Sequence, residues 1–168
     1  VALDLKAGKI LWHSTVGTSE DLAPLGIALN SGTPLVNGVA ITAGGLVFTG
    51  AMDAYLRAFD AKTGKQLWLG RLPVPGVANP MTYLWKGEQY VVIGAGGHSE
   101  AGTSIGDSVV AFRLPHPGEA ASLWSRMVDR PGGRFAVKVV EAALALIVLI
   151  AFIVVLWRWR RSRRANAV

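Results

Sequence analysis

The chain has 168 residues, with 17 Lys and Arg against 11 Asp and Glu, a net charge of +6. Apolar residues make up 51% and charged residues only 17%, below the roughly 25% of a soluble domain, which excludes intrinsic disorder and implies one strongly apolar segment. With no Cys, a disulfide framework, a Cys-based zinc site and thiol catalysis are excluded.

From the N-terminus, short runs rich in Val, Leu, Phe, Tyr or Trp alternate with turn residues. They predict strands over 2–5, 10–16, 39–43, 46–51, 54–60, 66–72, 80–86, 89–95 and 108–114. Gly44-Gly45, Lys62-Thr63-Gly64 and Lys86-Gly87-Glu88 mark connections. No amphipathic helix interrupts the strands, so antiparallel all-β structure is expected rather than βαβ units.

An internal repeat sharpens this. ALDLKAGKILW at 2–12 matches AFDAKTGKQLW at 58–68, an offset of 56 residues. Asp4 and Asp60, Gly8 and Gly64, Lys9 and Lys65, and Trp12 and Trp68 coincide. The Asp suits backbone N–H groups across a tight turn, the Gly a positive φ, and the Trp a position between neighbouring sheets. A repeat of this length with four strands and a docking Trp reads as a propeller blade; a β-solenoid or sandwich is the rival. Residues 1–16 supply two strands of one blade, 39–72 a whole blade and 80–114 three strands, about two and a half blades in 1–115. That is too few to close a propeller. Together with Val1 in place of Met, it suggests the C-terminal piece of a longer chain. The last blade lacks an outer strand, which a strand from elsewhere in the protein could supply.

Residues 116–134 form a linker, with a short interfacial helix expected over 119–129 and Pro131-Gly132-Gly133 leading into the next element. From 135 to 157 the chain is apolar except for Lys138 and Glu141, and 142–157 carries no polar side chain. Those 23 residues suffice to cross a hydrocarbon core of about 30 Å as a helix. The alternative is a buried core helix. Arg158, Arg160, Arg161, Arg163 and Arg164 follow in the tail 158–168. Residues 1–125 carry 8 basic and 9 acidic side chains (−1), and residues 126–168 carry 9 and 2 (+7). The excess charge therefore reads as a topology signal rather than a nucleic-acid surface. The positive-inside rule places the C-terminus in the cytoplasm and the β-domain across the inner membrane in the periplasm.

TAGGLVFTGAMDAYLRAFDAKTGKQLW at 42–68 and NPMTYLWKGEQYVVIGAGGH at 79–98 resemble the C-terminal blades of membrane-bound quinoprotein dehydrogenases of the glucose/quinate/shikimate type. The repeat alone is shared with non-enzymatic propellers; YLRAFD, PMTY and AGGH in register make the resemblance specific. It implies an eight-bladed propeller holding pyrroloquinoline quinone (PQQ) beside a divalent metal, Ca²⁺ or Mg²⁺. The implied reaction oxidises a sugar or polyol hydroxyl, with ubiquinone as electron acceptor. It also implies that Asp53 and His98 are catalytic residues of the active site and that Gly97 and His98 lie beside the cofactor. The general base, the metal ligands and most cofactor contacts would lie upstream, so the segment alone would be inactive. The C-terminal helix departs from the glucose enzymes, whose membrane helices are N-terminal. Each site residue also has a plainer reading: Asp53 as a turn-stabilising carboxylate, His98 as a loop residue. His13 and His116 read as solvated. A non-catalytic propeller scaffold and a degraded remnant remain as alternatives.

Overall fold

A computed structural model describes residues 1–119 and 122–165. Its β-region forms three antiparallel sheets. β1 (Ala2–Asp4) pairs with β2 (Lys9–Trp12). β3 (Ala40–Ile41), β4 (Leu46–Gly50), β5 (Tyr55–Asp60) and β6 (Gln66–Arg71) follow one another in a four-stranded sheet. β7 (Met81–Trp85), β8 (Glu88–Ala95) and β9 (Ser108–Arg113) form a three-stranded sheet. Each sheet is a meander, with neighbours in sequence paired in space. Every strand overlaps a run expected from the pattern, but the second and third are shorter: 13–16 and most of the 39–43 run are not strand. A long irregular connection from His13 to Val39 takes their place.

The repeated turn folds the same way twice. Asp4 Oδ1 accepts the Lys6 and Ala7 N–H groups at 2.9 and 3.0 Å. Asp60 Oδ1 accepts those of Lys62 and Thr63 at 3.0 and 2.7 Å, and the Thr63 hydroxyl at 2.9 Å. These bonds hold the Asp60 carboxyl below its usual range, the Thr63 hydroxyl contributing most. Both tryptophans then reach the next sheet. The Trp12 indole N–H donates to Ala61 O at 2.9 Å, and its ring lies where a Cβ on Gly64 would stand. Gly64 also has φ +70°, so both space and backbone require glycine there. Trp68 meets Phe112 edge-on, with ring centroids 5.0 Å apart.

The core lies between the four- and three-stranded sheets. Leu56, Leu72, Ile93 and Ala95 are at most 1% exposed, with Phe48, Val110 and Phe112 packed around them. At the β7–β8 hairpin, Lys86 and Gly87 both take positive φ, 50° and 81°, which suits the right-handed twist of the strands they join.

Beyond β9, α1 (Leu123–Val128) starts at Ser122, whose hydroxyl accepts the Ser125 N–H at 3.1 Å. It is shorter than the expected 119–129 helix, of which residues 120–121 lie outside the described residues. α2 (Gly133–Ala165) begins two residues before the expected apolar span and continues through the Arg cluster. Its segment Gly133–Arg158 is 26 residues long and apolar enough to cross a membrane, about 39 Å at 1.5 Å per residue. None of its apolar stretch is buried against the rest of the chain, so it is not the core helix of this β-region.

Candidate functional site

Asp53 and His98 occupy topologically equivalent connections. Ala51–Ala54 joins β4 to β5, and 96–107 joins β8 to β9; each links the second strand of its sheet to the third. Because strands alternate in direction, these connections lie at the same end of their sheets as the inter-blade segments His13–Val39 and 72–80. Hydrogen bonds tie them together there. Leu72 N–H donates to Ala54 O at 2.9 Å, and Gly97 N–H to Pro75 O at 2.9 Å. The 72–75 strip thus anchors both connections, and the turn carrying Asp53 and the loop carrying Gly97 and His98 belong to one surface.

Asp53 is completely buried and already engaged. Its carboxylate forms an ion pair with Arg57, with Oδ1 accepting from Nη1 at 2.8 Å and Oδ2 from Nη2. Oδ2 also accepts the Thr18 backbone N–H at 2.6 Å and the Thr18 hydroxyl at 2.9 Å. Its own carbonyl accepts from Arg71 Nη1 at 3.0 Å. Ala54, next in the chain, is held at φ +55°, a conformation a non-glycine residue keeps only where its surroundings enforce it. The carboxylate therefore fastens the segment around Thr18 onto the head of β5.

A second set of buried polar contacts continues this one. The Tyr55 hydroxyl donates to Glu20 Oε2 at 2.8 Å, and Arg71 Nη2 donates to Asp21 Oδ1 at 2.7 Å. The Arg71 guanidinium lies 4.6 Å from the Tyr55 ring centroid. Burial, reinforced by Glu20, pushes the Tyr55 hydroxyl well above its usual range; Asp21 is the main influence holding Arg71 protonated against its own burial. The sequence pattern does not single out Glu20, Asp21, Arg57 or Arg71. One signal was there: Arg57 stands inside the apolar strand YLRAFD, where a charge must find a buried counter-ion.

His98 differs from Asp53. Its backbone is well held: N–H donates to Thr103 Oγ1 at 2.7 Å, and its carbonyl accepts from Ala101 N and Thr103 N at 3.2 and 3.4 Å. Its ring Nδ1 is buried with no hydrogen-bond partner. Gly97, at φ +71°, packs so closely on the Ser104 carbonyl that a Cβ would not fit. An unpaired imidazole nitrogen on a fixed backbone is open to a polar partner. The residues present therefore fit one edge of a quinone cofactor. Among the described residues, no group of three or more His, Asp or Glu side chains is placed to hold a metal ion.

At the opposite end, a cavity of about 480 Å³ lies between the two larger sheets, beside Trp68, Tyr90, Phe112 and the β9 exit. His116 sits there, and its Nε2 lies 2.9 Å from Glu88 Oε1, so it is not simply solvated. Arg113 pairs with Glu119 at 2.9 Å.

The family model for the glucose/ethanol/alcohol dehydrogenase PQQ β-propeller domain matches residues 1–91. Over 119 residues, 68% of this chain, the sequence is 46% identical to quinoprotein glucose dehydrogenase of Escherichia coli (strain K12). It is 42% identical over 120 residues, 67% of the chain, to quinate/shikimate dehydrogenase (quinone) of Acinetobacter baylyi. It is 44% identical over 120 residues, 68% of the chain, to the glycerol dehydrogenase large subunit of Gluconobacter thailandicus. These matches span 15%, 15% and 16% of the relatives' own lengths. A solved europium-containing methanol dehydrogenase is 33% identical over 56% of this chain and 14% of its own, with a TM-score of 0.44; a likeness of shape at that level adds nothing to the sequence matches.

Proposed function

This chain belongs to the PQQ β-propeller family of glucose, ethanol and alcohol dehydrogenases, and on that premise we propose that it is the C-terminal segment of a membrane-anchored quinoprotein dehydrogenase. The enzyme oxidises a sugar or polyol hydroxyl in the periplasm and passes the electrons to ubiquinone. Relatives named for glucose, glycerol and quinate or shikimate support a polyhydroxylated substrate. The apolar segment Gly133–Arg158 and the arginines beyond it support a bilayer anchor with a cytoplasmic C-terminus. The three sheets join further blades of an eight-bladed propeller.

The observation that carries the reading is the unpaired Nδ1 of His98, buried in a rigid loop beside Gly97. When bound, PQQ supplies the acceptor for the hydride leaving the carbinol carbon, while a base outside this segment takes the hydroxyl proton. His98 holds and orients a polar edge of the cofactor. Gly97, where a Cβ would meet the Ser104 carbonyl, keeps the loop beside His98 in its shape. Asp53 positions this wall of the site: with its oxygens engaged by Arg57 and Thr18, it sets the turn on which the surface rests. Ca²⁺ or Mg²⁺ is held by residues outside the segment.

The test uses the full-length protein in membranes, supplied with PQQ and Ca²⁺, and follows quinone reduction with glucose, glycerol or quinate. Substrate-dependent reduction is expected. Residues 1–168 alone should be inactive, because they contribute one wall only. A full-length protein that neither binds PQQ nor oxidises any of these substrates would point instead to a non-catalytic propeller scaffold.

A further inference from the structure

The connection between β2 and β3 has a feature that the reaction does not use. From Leu22 to Val36 it carries no charged side chain, yet Leu22, Leu25, Ile27 and Leu29 are 48%, 67%, 41% and 62% exposed. These residues do not belong to a loose loop. Ser19 closes its base: its hydroxyl donates to Ile27 O at 2.8 Å and accepts the Leu29 N–H at 3.0 Å. Its backbone pairs with Leu29 and with the 22–23 turn. On either side of Ser19, Thr18 is fastened to Asp53, Glu20 to Tyr55 and Asp21 to Arg71. Leu25 at the tip has φ +62°, an unfavourable conformation for leucine that leaves its side chain outward. A buried polar network thus holds a rigid, uncharged, apolar tip in solvent.

The position of the tip says what covers it. Its Pro24–Gly26 turn packs against α2, and Ala28 lies beside Gly132 at the entry to that helix. On the neighbouring α1, Leu123 and Met127 are 78% and 61% exposed one helical turn apart. Arg126, Arg130 and Arg134 are exposed around them. Apolar side chains beside arginines, at the point where an apolar helix begins, make the pattern of a segment seated at the headgroup–acyl boundary.

We propose that residues 22–29 are seated in the leaflet that α2 enters, with α1 beside them, and so turn the end of the propeller that bears Gly97 and His98 toward the bilayer. This rests on the anchoring role given to α2 above. The tip and the site share an end of the sheets, so a lipid-dissolved acceptor meets the site from the membrane side.

The test places a single environment-sensitive label on the full-length protein in lipid nanodiscs, at Leu25→Cys, Leu29→Cys, Lys65→Cys or Leu149→Cys. Leu25, Leu29 and Lys65 are exposed, so the substitutions there spare the packed core. Lipids brominated near the headgroup end of the acyl chain should quench the labels at 25 and 29, while aqueous iodide should not. The label at 65, in the turn at the other end, should respond only to iodide. Iodide quenching at 25 and 29 equal to that at 65 would overturn the proposal. So would protection of both from either quencher, which would mean that another part of the protein covers the tip. Leu149→Cys reads the anchor separately: failure of deeply brominated lipid to quench it would overturn the membrane span itself.

Discussion

Neutralising Asp53 separates a positioning residue from one acting directly on substrate. Asp53→Asn keeps the shape and removes the charge. Arg57 is 3% exposed and would keep its positive charge with no counter-ion. Removing one partner from a buried pair costs about 3–5 kcal/mol, mostly the penalty of the charge left behind. The Thr18 N–H would also lose its charge-assisted acceptor, a further loss of roughly 1 kcal/mol. Thermal unfolding of the full-length protein, followed by tryptophan fluorescence, should show a midpoint lower by several degrees. Adding Arg57→Met removes the stranded charge and fills much of the same volume, so the double variant should recover more than half of the loss. If Asp53→Asn unfolds at the wild-type temperature while turnover collapses, the carboxylate acts on substrate and the positioning account is wrong. If the double variant is less stable than the single one, the charge left on Arg57 was not the source of the cost.

Other outcomes follow from the packing. Gly64→Ala forces a Cβ into the Trp12 ring at a positive φ, and chemical denaturation should show a loss of about 1–3 kcal/mol; no loss would mean that Trp12 does not dock there. Leu56→Ala, at a fully buried position between the sheets, should cost about 2–5 kcal/mol in the same assay. The Glu119 carboxyl is held down to about 2, chiefly by Arg113 and also by the His116 N–H. Its contribution is complete above its ordinary value of 4.5 and is lost as the pH falls toward about 2. Peptic cleavage at the β9 exit should rise across that interval and should be high throughout in Glu119→Gln.

Much of the fold is legible in the sequence because its determinants are local. Asp4 and Asp60 with their glycines specify the same turn twice, and alternating runs bounded by turns place all nine strands. The tryptophan spacing foretells the inter-sheet contacts of Trp12 and Trp68. The site is less legible. His98 stands out through the AGGH motif, but the engagement of Asp53 depends on Thr18, 35 residues away, and on an arginine that looks like a strand residue. Glu20 and Asp21 find Tyr55 and Arg71 only after the long β2–β3 connection folds back, and no periodicity announces such pairings. The strand expected over 10–16 stops at Trp12, and the one expected over 39–43 covers only Ala40–Ile41: Val16 O and Gly17 O accept the Thr33 and Gly32 N–H groups of the returning connection instead of a strand ladder, and Thr42 already closes the turn to Leu46.

The central claim is that the Gly97-His98 loop forms part of a PQQ site. The most direct measurement is equilibrium titration of the full-length apoprotein with PQQ, comparing wild type with His98→Phe, which keeps a ring and removes Nδ1, alongside thermal unfolding of the cofactor-free forms. No hydrogen bond to Nδ1 of His98 exists to be broken, so the two should unfold at the same temperature. The variant should bind PQQ about tenfold or more weakly, the equivalent of one lost hydrogen bond of roughly 1.4 kcal/mol. Equal affinity in two equally stable proteins would remove His98 from the site and contradict the account.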